Sequence, residues 1–517
     1  MRNLILLFGD QLSHDMSSLD EFDLATDRCW MAEVDDEASK VWCHKTRLVF
    51  FFSAMRHFRD ELRKNGCEVE YHELQVDSER DRGGNLSEVL RHSLNSLKPE
   101  RVIVTEPGDW FVREAIESTC AGAGVELEIR PDRHFYCSVD EFAEWSHGKK
   151  SLILEHFYRW MRKKHRVLVD KTSKPIGGEW NFDKENRKSF GKAGPGEIAP
   201  VKQFKPDAIT KSVIKMVQTR YADHPGDCNQ FAYPVTRKQA LKSLEDFIQN
   251  RLPQFGDYQD AMWTDTEFLN HSRISCVLNV HLLNPFEVVN AAIDAYESGE
   301  APIHCVEGLV RQVIGWREYV RGIYWTMMPE YIERNELDCE PVDVPKSFWN
   351  GESDMNCVRE AMKPVLKYSY AHHIQRLMVL GLYAQLLGVH PRKFHDWHMA
   401  MYADAIDWVS LPNTLGMSQH ADGAVVGTKP YCASGNYIDR MSNYCKGCRY
   451  KPKVATGDDA CPVTTLYWDF LDRHRGSFSA NGRMKFQVKN LENKSDEEME
   501  AIRSQAQERL AVERSGL

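Results

Sequence analysis

Residues 3–11 read NLILLFGDQ, and five consecutive apolar residues there lead directly into Gly9 and Asp10. An apolar run of this length, closed by turn residues, is typical of a buried strand in a parallel sheet. Four similar runs follow, and the amphipathic stretches at 48–64 and 87–97 are predicted helices. The predicted strands are residues 4–8, 29–33, 68–74, 101–105 and 126–130. The first 130 residues therefore predict a doubly wound α/β domain around a parallel sheet.

Polar residues at the ends of these strands are the first candidates for a binding site. Ligands of open parallel sheets lie at the carboxyl ends of the strands. The candidates at those ends are Gly9-Asp10-Gln11, Glu37 and Glu106-Pro107-Gly108. No GxGxxG motif follows the first strand, which argues against an ordinary dinucleotide-binding domain.

The rest of the chain changes from alternating runs to helical periodicity. Residues 131–210 contain glycine-rich loop segments and are predicted to form a partly helical connection. From 211 to 517, apolar residues recur at helical spacing, as in segment 306–314, so a large all-helical second domain is predicted. Its last stretch, 495–514, is highly charged and is predicted to be a surface helix that frays.

The overall charge of the chain limits the functions that it can have. A net charge of −10 and a pI near 6.1 argue against a protein that binds nucleic acid over its whole surface. Residues 149–174 nevertheless carry nine Lys and Arg against two acidic residues, which indicates either a phosphate-binding patch or a solvated helix face. No membrane span or signal peptide is evident, so a cytoplasmic protein without membrane association is predicted.

Three cysteines near the end of the chain have the spacing of metal ligands. Cys445 and Cys448 form a CxxC motif, and Cys461 follows, with a proline after it. Clustered cysteines in a reducing compartment indicate a metal site more often than a disulfide. Zinc and a [4Fe–4S] cluster both accept four thiolates, and Cys432 and Cys357 compete for the fourth place. A thioredoxin-like role is weaker, because no βαβ pattern lies nearby.

Two helical segments carry polar residues that could serve a buried ligand. In the first, His372 and His373 lie about one helical turn before Arg376, so these groups can face one cavity. In the second, Asp407 precedes Asn413 by six residues, beside aromatic side chains. A carboxylate and an amide placed in this way can bond the edge of a planar heterocycle. A pair of satisfied core histidines is the competing interpretation of the first segment.

The stretch RQVIGWREYVRGIYWTMMP, residues 311–329, resembles the Trp-Arg-Glu-Tyr/Phe signature of the photolyase and cryptochrome family. The segment from Asp407 to Asn413 is similar to the family's flavin-edge motif. A histidine pair, two tyrosines and four cysteines are together similar to the iron–sulfur bacterial photolyases, and the similarity covers essentially the whole chain. These residues are His372, His373, Tyr431, Tyr437, Cys357, Cys445, Cys448 and Cys461.

The resemblance implies three cofactors: FAD, a [4Fe–4S] cluster and a 6,7-dimethyl-8-ribityllumazine antenna. For FAD it implies that Asp407 bonds the ring and pairs with Arg376, and that Asn413 lies near N5. The other implied FAD residues are His271, Ser272, Arg273, Ser275, Gln312 and Arg317. The implied cluster ligands are Cys357, Cys445, Cys448 and Cys461, which leaves Cys432 free. The implied lumazine residues are Asp10, Glu37 and Gly108.

Two positions depart from the family pattern. Val313 stands where the family has a glutamate three residues before the signature Trp316, so that substrate contact is not carried over. The family also supplies electrons to the flavin through aromatic side chains. Trp397 and Trp349 match this route, whereas His398 replaces a tyrosine.

The implied activity is light-driven repair of the (6-4) pyrimidine–pyrimidone lesion in UV-damaged DNA by a monomeric enzyme. Return of the migrated hydroxyl needs a general acid, a role expected for His373, with His372 tuning it and Tyr431 and Tyr437 contacting the lesion. The alternatives are a cryptochrome-type photoreceptor, a cyclobutane-dimer photolyase, and a light-independent nucleic-acid-binding protein. The cluster is expected to be structural, because the residues expected at flavin and lesion are not its ligands.

Overall fold

Five parallel strands form the sheet that the apolar runs predict. The protein is described by a computed structural model that covers residues 1–77, 81 and 84–515. The strands are β1 (Asn3–Leu6), β2 (Arg28–Ala32), β3 (Val69–His72), β4 (Arg101–Thr105) and β5 (Glu126–Arg130). They pair in the order β3-β2-β1-β4-β5, all parallel. The predicted sheet is confirmed, with strand ends that differ by up to two residues.

Four helices connect or flank these strands: α1 (Asp36–Ser39), α2 (Lys45–Lys64), α3 (Leu86–Leu97) and α4 (Trp110–Ala123). α2 and α3 match the predicted helices. α4 was not predicted, although its end signals are present. Asp109 caps it by accepting hydrogen bonds from the N–H groups of Phe111 and Val112, and Gly124 ends it with a left-handed φ of 67°.

The remainder of the chain is mostly helical, as predicted. Residues 166–207 form the long irregular part of the connection, between α6 and α7. The α-helices are α5 (Val139–Ser146), α6 (Leu154–His165), α7 (Ala208–Arg220), α8 (Arg237–Asn250), α9 (Leu252–Phe255), α10 (Ser275–Asn279), α11 (Pro285–Glu297), α12 (Ile303–Val310), α13 (Glu318–Met327), α14 (Ser347–Asn350), α15 (Asn356–Tyr368), α16 (His373–Gln375), α17 (Leu382–Leu387), α18 (Pro391–Met401), α19 (Asp407–Leu411), α20 (Gly435–Met441), α21 (Pro462–Arg473), α22 (Arg475–Ala480), α23 (Lys485–Lys489) and α24 (Asp496–Ser515). The division at 130 and 210 stays a prediction.

The two faces of the sheet bury different partners. Leu4, Leu6 and Val104 pack with α3 and α4 on the outer face. Ile5 and Ile103 point the other way, into a core that continues through the helical part of the chain. Alternation of side chains along each strand produces this division. The α/β and helical parts therefore share one hydrophobic core.

The last helix is not the fraying surface helix predicted for residues 495–514. Met499, Ile502, Ala506 and Leu510 are buried, and α24 packs against α21. Arg509 adds an ion pair with Asp354 at 3.0 Å. The segment is highly charged but also carries a narrow apolar stripe of small and medium side chains at helical spacing. Composition alone does not show this stripe, which is why the segment was predicted to fray. No helix in the described ranges has both the length and the apolarity that crossing a bilayer requires.

Candidate functional site

Three π-helical segments interrupt the helical part, and each falls on a motif that the sequence singled out. They are Arg311–Arg317 in the Trp-Arg-Glu stretch, Arg376–Gly381 after the histidine pair, and Pro412–Ser418, which contains Asn413. π-turns inside α-helices are rare and often lie at functional sites, because they re-aim side chains at a cost in hydrogen-bond geometry. Their coincidence with the predicted motifs indicates where the functional cavity lies.

A cluster of histidines lies at the start of α16. The rings of His271 and His372 stack with centroids 4.4 Å apart. Neither ring nitrogen of the buried His372 has a hydrogen-bond partner. His373 is solvent-exposed, yet burial and then the charge of Arg376 lower its pKa to about 4. The His373 side chain is therefore accessible to solvent although many protein atoms surround it.

Arg376 forms its ion pair with Asp404, so the predicted pairing with Asp407 is wrong. The two guanidinium NH2 groups donate to the two oxygens of Asp404 at 2.9 and 3.2 Å. Ser275 donates to the same carboxylate at 2.7 Å. The Arg376 guanidinium also lies 3.9 Å from the centre of the Tyr402 ring. A bidentate pair of this kind fixes both side chains in one orientation.

Asp407 is held on the other side of this segment. Its carboxylate accepts from Tyr324 at 2.6 Å and contacts His395 Nε2 at 3.0 Å. It lines a cavity at the edge of the sheet, so we reassign it from the flavin set to that cavity. The predicted N5 residue, Asn413, is partly buried and donates to the carbonyl of Val409 at 2.7 Å.

Two other predicted flavin residues lie elsewhere. Arg317 donates to Glu318 at 3.1 Å, and its guanidinium lies 4.1 Å from the Phe135 ring and 5.1 Å from the Trp408 ring. These contacts place Arg317 at the junction with the α/β domain, and its contact with FAD stays a prediction. Gln312 is exposed.

The flavin segment 271–275 divides between two environments. Ser272 is partly exposed, whereas Ser275 bonds Asp404 and His271 stacks on His372 as described. Arg273 has a left-handed φ of 55°, and its guanidinium lies between the rings of Tyr233 and Phe268, at 4.5 and 4.2 Å. The structure therefore brings His271, Ser275 and Arg376 around one network.

Unpartnered buried polar atoms collect around this network. A buried donor or acceptor without a partner costs about 1–3 kcal/mol, so such atoms rarely cluster in a core that binds nothing. The atoms are Asn270 Nδ2, His271 Nε2, Arg273 Nε, both ring nitrogens of His372, His398 Nδ1, Tyr402 Oη and Ser410 Oγ. They suit a large ligand rich in donors and acceptors. Ser410 was missed in the sequence, since a lone serine in an apolar helix carries no signal.

A cavity of about 140 Å³, the sheet-edge cavity, lies at the edge of the sheet. Its lining includes Asp10, Glu37 and Gly108, which the sequence placed together, as well as Asp109 and Asp407. The cavity lies where the strand order reverses between β1 and β4, the place where doubly wound sheets bind ligands. A Cβ on Gly108 would lie 2.3 Å from Asp10 Oδ2, so only glycine fits beside that carboxylate.

Burial raises the pKa of Asp10 to about 7. A carboxyl whose pKa is higher in the folded state than its usual 3.8 lowers stability as pH rises, until it is fully ionised in both states. We therefore expect Asp10→Asn to raise the Tm over wild type, with a difference that grows between pH 4 and 7 and levels off above. Thermal melts across this pH range, with the exposed Asp36→Asn as control, test this. A difference independent of pH would contradict it.

The four cysteines of the predicted cluster line one small cavity, at the start of α15, in the turn Tyr444–Gly447 and its flank, and just before α21. They are Cys357, Cys445, Cys448 and Cys461. Cys432 is not in this lining, so the structure selects Cys357 as the fourth member. All are free thiols. Burial, and then the three neighbouring thiols, raise the pKa of Cys357. A positively charged metal centre bound to these thiols would favour their deprotonated form.

The separation of these thiols bears on the two metal hypotheses. Four sulfurs around one zinc at about 2.3 Å would lie about 3.8 Å apart. Within the described ranges, the single group of three ligand atoms within 4.8 Å of one another consists of Asp132, His134 and His281, not of cysteines. The choice between zinc and an iron–sulfur cluster stays a prediction.

Aromatic side chains lead from the Arg376 network towards the surface. Tyr402 and Trp397 have ring centroids 5.7 Å apart, and Trp397 donates to the carbonyl of Phe348 at 3.0 Å. The next residue, Trp349, lies 5.3 Å from Trp42, which is 44% exposed. Trp42 lies in the loop before α2, outside the helical motifs on which the sequence predictions were based.

Tyr431 and Tyr437 are partly buried on a charged face. Burial raises the pKa of both side chains, while the positive charge of Arg187 acts on both in the opposite direction. Arg311 and Asp183 form an ion pair at 2.9 Å close to Tyr431. The two tyrosines therefore lie on one surface with arginines of the connection and of the π-helical signature segment.

The basic segment 149–174 is partly structural. Arg162 is fully buried and donates to the carbonyls of Val167 and Trp180 at 3.2 and 2.9 Å. Arg159 pairs with Glu155 at 2.8 Å. The positive charge left for a ligand is therefore smaller than the composition indicated.

Comparison with known proteins gives a consistent result. Residues 5–233 match the family described as deoxyribodipyrimidine photo-lyase-related protein. The chain is 45% identical over 485 residues, 94% of each chain, to a (6-4) photolyase of Agrobacterium fabrum. It is 29% identical over 107 residues, 21% of this chain and 80% of the other, to an uncharacterised protein of Acanthamoeba polyphaga mimivirus.

The fold has a solved counterpart. The crystal structure of a bacterial class III photolyase from Agrobacterium tumefaciens superposes with a TM-score of 0.56, at 14% identity, over 85% of this chain and 86% of that one. The α/β and helical architecture is therefore the photolyase fold. With near-complete coverage at 45% identity to a named relative, the chain belongs to the photolyase family, in the branch of the Agrobacterium (6-4) photolyase.

Proposed function

We propose that this protein repairs (6-4) photoproducts in DNA by light-driven electron transfer from reduced FAD. The observation that carries the proposal is the near full-length similarity to a (6-4) photolyase, together with a histidine pair next to a cluster of unpartnered buried polar atoms. A protein that only bound nucleic acid would not need such a cluster.

FAD is assigned to the network around Arg376. His271, Ser272, Ser275, Arg376 and Asn413 would hold it, and Asp404 fixes Arg376 in place. Reduced FAD supplies the electron that light drives onto the damaged bases. The unpartnered atoms of His271, His372 and Tyr402 support the assignment, because a flavin and its ribityl chain offer matching donors and acceptors.

The damaged bases must leave the base stack of the DNA to reach the flavin. Damaged pairs do so at a lower cost in free energy than intact ones. Tyr431 and Tyr437 are placed to contact the extruded bases. His373 delivers the proton that accompanies return of the hydroxyl group. Since burial and Arg376 lower its pKa, its protonated form depends on the negative charge that DNA phosphates bring.

Two further cofactors belong to the proposal. A [4Fe–4S] cluster would be held by Cys357, Cys445, Cys448 and Cys461, and it would link α15 to α21. The lumazine antenna would lie in the sheet-edge cavity, where carboxyl groups such as Asp10 can bond its ring edge. We also propose that the enzyme acts as a monomer in the cytoplasm, where its free cysteines stay reduced.

The function is tested with DNA that carries a single (6-4) photoproduct. Blue light should remove the lesion in the presence of the protein, and the dark control should retain it. A parallel substrate with a cyclobutane dimer should stay unrepaired. Loss of the dimer alone would favour a cyclobutane-dimer photolyase, and photoreduction of the flavin without any repair would favour a photoreceptor.

Electron supply to the flavin should depend on Trp397, which contacts Tyr402 and the backbone of Phe348. We expect Trp397→Phe to reduce the rate of flavin photoreduction to a small fraction of wild type, because phenylalanine is much harder to oxidise. Absorption spectra during illumination with an external reductant measure this. Trp145→Phe, a partly buried tryptophan packed on Phe142, is the control. Equal rates in both variants would exclude the Trp397 route.

A further inference from the structure

A group of metal-ligating side chains that the proposed function does not use lies at the junction of the α/β and helical parts. Asp132 and His134 follow β5, and His281 follows α10. One ligand atom from each of the three lies within 4.8 Å of the others. His134 Nδ1 lies 3.7 Å from Asp132 Oδ1, and His281 Nε2 lies 3.5 Å from Asp132 Oδ2. Ligands at about 2.0–2.2 Å around a tetrahedral zinc lie about 3.4 Å apart, close to these separations.

Each of the two histidines has a ring nitrogen without a partner. His134 and His281 are almost fully buried, and Nδ1 of each has no hydrogen-bond partner. Imidazole nitrogens are common ligands of metal ions. The rings stack at 4.4 Å and would open slightly about their Cβ–Cγ bonds to share one ion.

The backbone at His281 offers a way to test the role of its imidazole. Its φ of 61° lies in the left-handed region, which side chains other than glycine adopt at a cost. Glycine adopts this φ without strain, so His281→Gly removes the imidazole without straining the backbone.

Charged side chains of both signs lie around the group. Arg317 is paired with Glu318 at 3.1 Å, and Arg321 with Glu106 at 2.6 Å. The Asp132 carboxylate contacts the two histidines and forms no ion pair with either arginine. It is therefore the anionic ligand that the group offers to a divalent ion.

We propose that Asp132, His134 and His281 bind a divalent transition-metal ion of the zinc class, which joins the end of the sheet to the helical part. Two imidazoles and a carboxylate are a ligand set that zinc accepts. Zinc has no redox chemistry of its own, so an ion there would not compete for electrons with the flavin. Its role is structural, and the site is separate from the four cysteines.

The test combines metal location with stability, using the cofactor-loaded protein. Crystals grown with Zn²⁺ should show an anomalous difference peak at the zinc edge among these three side chains, and Asp132→Asn should remove it. Zinc analysis after dialysis should give one ion more in wild type than in His281→Gly, at equal iron content. The position of the peak distinguishes this ion from zinc bound adventitiously by cysteines.

The response of His281→Gly to Zn²⁺ separates the two explanations. Loss of the buried imidazole leaves a cavity and lowers the Tm with or without a metal role, and relief of the left-handed backbone offsets only part of this loss. With the metal role, added Zn²⁺ should raise the Tm of wild type by several degrees and leave that of His281→Gly unchanged. His420→Gly is the matched control and should keep the wild-type response to Zn²⁺, because His420 is buried, has a φ of 53° and an unpartnered Nδ1, and lies outside the group. No peak, or the same response to Zn²⁺ in wild type and His281→Gly, would overturn the proposal.

Discussion

His373→Ala is expected to abolish repair of the (6-4) photoproduct while leaving the bound flavin spectrum unchanged. The side chain is exposed and forms no hydrogen bond within the part of the chain that the structure describes, so its removal should not disturb packing. Loss of a general acid reduces rates by about 10²–10⁴-fold. The measurement is lesion loss per absorbed photon in single-turnover illumination.

A second substitution separates proton transfer from shape. His373→Gln keeps much of the volume and the hydrogen-bonding capacity but cannot deliver a proton at neutral pH. It should be as inactive as the alanine variant. Repair by His373→Gln near the wild-type rate would show that the side chain only positions the lesion. The pH profile adds a check: the wild-type rate should fall as pH rises through the pKa of His373 in the DNA complex, because the protonated form is the active one.

Cys448→Ala is expected to cost folded protein before it costs chemistry. The four thiols connect α15 with the segment before α21, and metal binding by such a set contributes directly to folding. Cys448 is only partly buried, so alanine there leaves little core cavity, and any large effect reports on the cluster. We expect soluble yield to fall several-fold and the Tm of the remainder to drop by many degrees.

The chain supplies its own control for this experiment. Cys432 is also partly buried but does not line the cluster cavity, so Cys432→Ala should keep wild-type yield and iron content. A Cys448→Ala protein that folds well, binds FAD and lacks the cluster, yet cannot repair DNA, would instead give the cluster a redox role.

Much of the architecture could be predicted because the signals were local. The strand after Arg2 and the run at Arg101–Thr105 are continuous apolar segments, which few other structures produce. α4 was missed because its buried stripe is short, with only Ile116, Thr119 and Cys120 buried, and its clearest evidence lies in the cap at Asp109 and in Gly124. α24 was misjudged because its buried face is a narrow stripe among charges.

The site was predicted less evenly. The His372–His373 pair and the four cysteines were found, because unusual residue types at fixed spacing can be recognised from the sequence alone. The carboxylate that pairs with Arg376 could not be predicted. Asp404 and Asp407 are three residues apart, and only the start of α19 determines which of them faces the guanidinium. The contacts of Arg317 were not predicted either, because they combine its neighbour Glu318 with the distant His134 and Trp408.

The hydrophobic core that passes from one face of the sheet into the helical part has a consequence for evolution and engineering. Ile5 and Ile103 belong to this shared core, so neither part can be exchanged for a foreign one without exposing apolar surface. The α/β and helical parts of this protein are therefore not interchangeable modules. The ligand preference of the sheet-edge cavity is more accessible by reshaping its lining than by replacing the domain that carries it.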